Sequence, residues 1–158
     1  MAASTIKGIT IEIGGDTTKL DKALSGVNKQ SRDLQKELKK VEKGLKLDPK
    51  NTELLAQKQT LLKEAVAATS EKLDVLKSAE AQVQKQFENG EVSEEQYRAL
   101  QREIIKTEAD LKNLKTAAED SNSTLEKAGE IAGKIGKKSE ALGKKLLPVT
   151  GAIAGIGT

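Results

Sequence analysis

LDKALSGVNKQSRDLQKELKKVEKGL, residues 20–45, sets Leu20, Leu24, Val27, Ser31, Leu34, Leu38, Val41 and Leu45 at alternating steps of four and three. A repeat averaging 3.5 residues keeps one stripe of an α-helix facing a partner helix, and charged and amide side chains fill the other positions. Leu24, Ser31, Leu38 and Leu45 take the a positions, and Leu20, Val27, Leu34 and Val41 the d positions. Ser31 is the polar member; a polar residue there can set register or strand number, and a small hydroxyl is also tolerated.

The same spacing continues in both later segments. Leu47-Asp48-Pro49-Lys50-Asn51 stops the first helix, since proline restricts the residue before it and lacks the donor a helix needs. Asn51 or Thr52 can cap the next helix, whose stripe runs Leu55, Gln59, Leu62, Val66, Thr69, Leu73, Leu76, Glu80, Val83 and Phe87. Leu54, Leu61, Ala65 and Ala68 add a second apolar flank, which suits contact with two neighbours. Asn89-Gly90 ends that segment. Ser93-Glu94-Glu95-Gln96 then fits a capping box, with Val92 and Tyr97 placed as a hydrophobic staple. The third stripe is Tyr97, Leu100, Ile104, Thr107, Leu111, Leu114 and Ala118, and Asp120-Ser121-Asn122-Ser123 is expected to interrupt it.

The two ends read differently. Ile9, Ile11 and Ile13 alternate with Thr10 and Glu12, the period of a half-buried strand, and Gly14-Gly15-Asp16 turns the chain. No second strand is evident, so this one is expected to pair with another subunit, pack on a helix or fray as an arm. Asp16, Thr17 and Thr18 offer N-cap oxygens for the first helix. Beyond residue 124, Leu125, Ala128, Ala132, Ile135, Leu142 and Leu146 keep a helical stripe that Gly129, Gly133, Gly136 and Gly143 weaken. Lys134, Lys137, Lys138, Lys144 and Lys145 flank it, a candidate contact for anionic headgroups or another negatively charged surface. The uncharged run 146–156 is shorter than the roughly 20 residues a membrane-spanning helix needs.

Composition narrows the function classes. Of 158 residues 36% are apolar and only Phe87 and Tyr97 are aromatic, so a compact core of large side chains is hard to build and narrow helix seams are the natural alternative. Charged residues make up 32% at a net charge of +3, which is interspersed helix surface rather than a polyelectrolyte. The positive excess lies at the C-terminal end, where six lysines from Lys127 onward face Glu130 and Glu140. Neither cysteine nor histidine is present, which removes thiol chemistry and the commonest general base and metal ligand. Glu94-Glu95 sits in a first helical turn, where the helix dipole accounts for it. Gly14-Gly15-Asp16 lacks dinucleotide-site spacing, and Gly129-x-x-x-Gly133 is flanked by charge. Without aromatic platforms the lysines do not make a nucleic-acid site. No enzyme activity, no cofactor, no metal and no sequence-specific nucleic acid are expected. Residues 1–10 carry neither a basic leader nor an apolar run, which predicts synthesis in the cytoplasm without Sec export.

The expected fold class is therefore all-α: long coiled-coil helices in three heptad segments, folded back up-down-up or extended in an oligomer, with a short N-terminal β-strand or arm. Three regions follow: residues 1–15 as strand or arm, 16–120 as the coiled-coil region with helices over about 17–46, 52–88 and 93–119, and 121–158 as a Gly/Lys-rich amphipathic region leading into the apolar segment.

Three separated motifs also carry a family resemblance. They are residues 6–20 (IKGITIEIGGDTTKL), 45–51 (LKLDPKN) and 90–97 (GEVSEEQY), in that order. Together they resemble the N-terminal region of tail tape measure proteins of long, non-contractile-tailed phages and prophages of Gram-positive bacteria, over residues 4–120. The glycine-rich, increasingly apolar end resembles the entry to that family's hydrophobic central region. The resemblance implies a structural virion protein that templates the tail tube and sets its length, located in the tube lumen and, during assembly, in the host cytoplasm. Tail tube protein, tail assembly chaperones and tail tip proteins are the implied partners, with a homo-oligomer of three or more copies and contact with the host membrane on ejection. Family members are several times longer, so the sequence is expected to be part of a longer chain. Two other classes share its features: a helical-hairpin leader of a secreted toxin, which the missing W-x-G turn argues against, and a membrane-active helical segment.

Overall fold

The computed structural model describes residues 6–133. In chain order it contains β1 (Thr10–Ile13), β2 (Asp16–Lys19), α1 (Leu20–Leu47), α2 (Thr52–Glu88) and α3 (Glu94–Gly133). The protein is all-α with a small β-hairpin at its N-terminal end.

The isoleucine strand has its partner within the chain, contrary to the expectation from sequence. β1 and β2 pair antiparallel, Thr10 opposite Lys19 and Ile13 opposite Asp16. Gly14 and Gly15 both take positive φ, 60° and 89°, which is what a two-residue turn matching the strand twist requires. Residues 16–18 therefore act as strand rather than as a helix cap, and α1 starts at Leu20, whose N–H donates to the Ile9 carbonyl at 2.9 Å. β-branched Thr17 and Thr18 suit the extended conformation.

Local chemistry fixes the other helix ends. Asn51 Oδ1 accepts from the Leu54 N–H at 3.0 Å, an N-cap for α2. At the far end of α2, Glu91 N–H donates to Gln86 O at 2.8 Å and Gly90 N–H to Phe87 O at 3.0 Å. With Gly90 at φ 76°, this is the paired-bond stop that a left-handed residue permits. The capping box of α3 closes reciprocally: Ser93 N–H donates to Gln96 Oε1 at 3.0 Å, and Gln96 N–H to Ser93 Oγ at 3.2 Å.

α3 does not stop at residues 120–123, where an interruption was expected. No glycine or proline stands there, and the polar side chains bond along the helix. Asn122 Nδ2 donates to Glu126 Oε1 at 2.9 Å, and the Thr124 hydroxyl to Asp120 O at 2.9 Å. Ala118, Ser121 and Leu125 are buried, so the 4-3 stripe crosses the polar stretch unbroken.

The described residues form two compact units, each built from one segment of every helix. Unit 1 comprises residues 6–33 and 67–113. Its core joins Ile6, Ile9 and Ile11 of the hairpin region and Leu20 and Leu24 of α1 to Leu73, Leu76, Ala79 and Val83 of α2 and Ala99, Leu100 and Ile104 of α3. Ion pairs link α2 to α3: Lys72 Nζ to Glu103 Oε1 at 2.6 Å, largely buried, and Lys77 Nζ to Glu108 Oε1 at 3.0 Å on the surface. Unit 2 comprises residues 34–66 and 114–133. There α1 turns back along α2, with Glu42 and Lys58 paired at 3.8 Å. Gly44 lets the helices approach closely: a Cβ on it would lie 2.8 Å from Leu54 Cδ1.

Candidate assembly surface

The heptad stripes were the candidate functional residues, and they are largely covered within this one chain. Leu20, Leu24, Val27, Leu34, Leu38 and Val41 of α1 are buried, with Leu45 half-buried. Leu62, Val66, Leu73, Leu76 and Val83 of α2 are buried, as are Leu100 and Ile104 of α3. Tyr97, Leu111 and Leu114 are half-buried. Phe87 departs from the pattern: it is 36% exposed and stacks on Tyr97, ring centroids 5.0 Å apart and planes at 8°. It sits one residue from the end of α2, where the helix stops before the stripe can cover it. The second flank of α2 is also covered, with Leu61, Ala65 and Ala68 buried. A wide apolar face is what the middle helix of a folded-back set needs, because it meets a neighbour on each side.

A second constellation was not legible in the heptads. Gln82 Nε2 donates to Glu12 O at 2.9 Å while its Oε1 accepts from Glu12 N–H at 2.6 Å. One helical turn on, Gln86 Nε2 donates to Thr10 O at 2.8 Å. These are the peptide groups of β1 that face away from β2. Four helical residues rise about 6.0 Å and two strand residues about 6.6 Å, so glutamines at i and i+4 match the repeat of a strand edge. Side-chain amides thus occupy the edge where another strand would otherwise add. Gln96 Nε2 donates to Lys7 O at 2.9 Å, fastening the segment before β1 to the start of α3. The available signal was the glutamine pair itself, four residues apart and off the heptad stripe of α2.

Exposed apolar side chains are scattered: Ile13 at 48%, Leu47 at 89% and Ile105 at 65%. Among the described residues no helix is long and apolar enough to cross a membrane, and no group of three or more acidic, histidine or cysteine side chains gathers as a metal site. Lys134, Lys137, Lys138, Lys144 and Lys145, together with the apolar run after them, lie outside the described residues.

Long helices with buried heptad stripes, capped ends and a hairpin fastened by amides define the class: an all-α protein of long helices with a short β arm. Sequence comparison supplies two relatives. The chain is 30% identical over 150 residues, 88% of its length, to the probable tape measure protein of Lactococcus phage SK1. It is 47% identical over 49 residues, 31% of its length, to the tape measure protein of Lactococcus phage F4-1. The relatives it is similar to are thus curated tape measure proteins of Lactococcus phages. The matched regions make up 15% of the first relative and 13% of the second. No family model and no solved structure matches the sequence.

Proposed function

We propose that the chain is a non-enzymatic scaffold of a phage tail, acting in tape-measure fashion to template the tail tube and set its length. The carrying observation is the 30% identity to a probable tape measure protein over 88% of the chain. The helices give it a physical basis, since an α-helix converts residue number to length at about 1.5 Å per residue. The proposed setting is the lumen of the tail tube, reached from the host cytoplasm during assembly, with tail tube protein, assembly chaperones and tail tip proteins as partners. In the assembled tail three or more copies lie together, and stripes now closed within one chain pair between copies. Lys134, Lys137, Lys138, Lys144 and Lys145 are the proposed contacts to the tube lumen or, on ejection, to the host membrane.

The test is a heptad deletion in a phage that carries this sequence in its tail. Removing 21 residues from α2 keeps the stripe in phase and shortens the ruler by about 30 Å. Tails shorter by that increment in electron micrographs, still uniform in length, are the expected result. Tails of unchanged length would overturn the ruler reading.

A further inference from the structure

Unit 2 closes over polar groups that have nothing to bond. Gln59 is 0% exposed, and neither its Nε2 nor its Oε1 has a hydrogen-bond partner. Ser121 is 5% exposed, and its Oγ is likewise without one. Gln59 lies between Leu55 and Leu62 on the buried stripe of α2, and Ser121 between Ala118 and Leu125 on that of α3. A primary amide brings two N–H donors and a carbonyl acceptor, all bonded to water when the site is open. Burying them unpaired favours the open state.

The α3 segment of this unit offers little in return. Its buried side chains are Ala118, Ser121 and Leu125, of which one is large and apolar. Gly129 lowers the helix propensity of the same segment. In unit 1 the corresponding polar members are better placed. Thr107, 2% exposed, donates to Glu103 O at 2.7 Å, and the unpartnered atoms there belong to Asp21 and Gln86, both half-buried.

We propose that distal α3, residues 114–130, is a detachable cover. It leaves the α1–α2 hairpin of unit 2 in a local opening that keeps unit 1 folded, admits water to Gln59 and Ser121, and bares the apolar stripe beneath. The inference rests on the two orphaned side chains and stands independently of the proposed tail function.

Hydrogen exchange followed by mass spectrometry on the full chain tests it. In the wild type, amides at 114–130 exchange at least about tenfold faster than those at 97–107. Gln59→Leu combined with Ser121→Ala slows 114–130 by about tenfold while 97–107 shifts by less than about twofold. Leu125→Ala, which removes the one large anchor, speeds 114–130 by about tenfold, again without moving 97–107. Equal exchange in the two segments of the wild type would overturn the proposal. So would a double variant that leaves 114–130 no slower, or a Leu125→Ala chain in which both segments accelerate together.

Discussion

Units 1 and 2 use the same heptad spacing and close it differently. In unit 1 the positions facing inward are mostly apolar, Leu76, Val83 and Leu100 being fully covered, the buried Thr107 hydroxyl bonds within its own helix, and the N-terminal segment through β1 adds Ile9 and Ile11. In unit 2 the same kind of stripe carries Gln59 in α2 and Ser121 in α3. Spacing alone therefore brings helices together, while the identity of a few inward residues decides how firmly each unit holds. Coiled-coil seams elsewhere follow the same rule, a single polar core residue trading stability for another property.

The contrast can be broken most forcefully in unit 1. Leu100→Ala deletes a fully covered side chain and is expected to cost about 2–5 kcal/mol, read as a lower midpoint in urea unfolding followed by circular dichroism. A cost below about 1 kcal/mol would mean that the unit 1 core is not closed as described. In unit 2 the sign reverses. Gln59→Leu replaces an unpaired amide with an apolar side chain of similar size and is expected to raise stability by about 1–3 kcal/mol in the same titration. Destabilisation by that substitution would show that Gln59 has a partner in solution. A smaller effect concerns the hairpin: Gln82→Ala removes both bonds to Glu12 and should cost about 1 kcal/mol, confined to residues 9–13. Faster exchange of the Glu12 amide by NMR, with the α2 amides unchanged, is the expected signature.

Much of this was legible in the residues. The three stripes, the stop at Pro49 and the capping box at Ser93 depend on local spacing and local chemistry, which sequence carries directly. The wide flank of Leu61, Ala65 and Ala68 even told that α2 has neighbours on two sides. The second strand was hidden because Asp16, Thr17 and Thr18 suit a helix cap and a strand equally, and only the pairing with Ile11 and Ile13 decides between them. The continuation of α3 through residues 120–123 was hidden for a related reason. Polar residues such as these weaken a helix by bonding to the backbone in a competing turn, and here burial of Ala118 and Leu125 holds the segment helical. The glutamine ladder on β1 joins residues 70 and 76 positions apart, a distance at which no periodicity speaks.

Closure of the stripes within a single chain is most directly tested by one distance. Lys77 and Glu108 lie on α2 and α3 with their charged atoms 3.0 Å apart, both about half exposed, and the chain has no native cysteine. Spin labels on Lys77→Cys and Glu108→Cys, diluted with unlabelled chain so that only intramolecular pairs report, should give a dipolar EPR distance below about 25 Å, as adjacent helices packed 8–10 Å apart require. A distance near 46 Å, the rise of about 31 residues along one continuous helix, would contradict the folded-back arrangement.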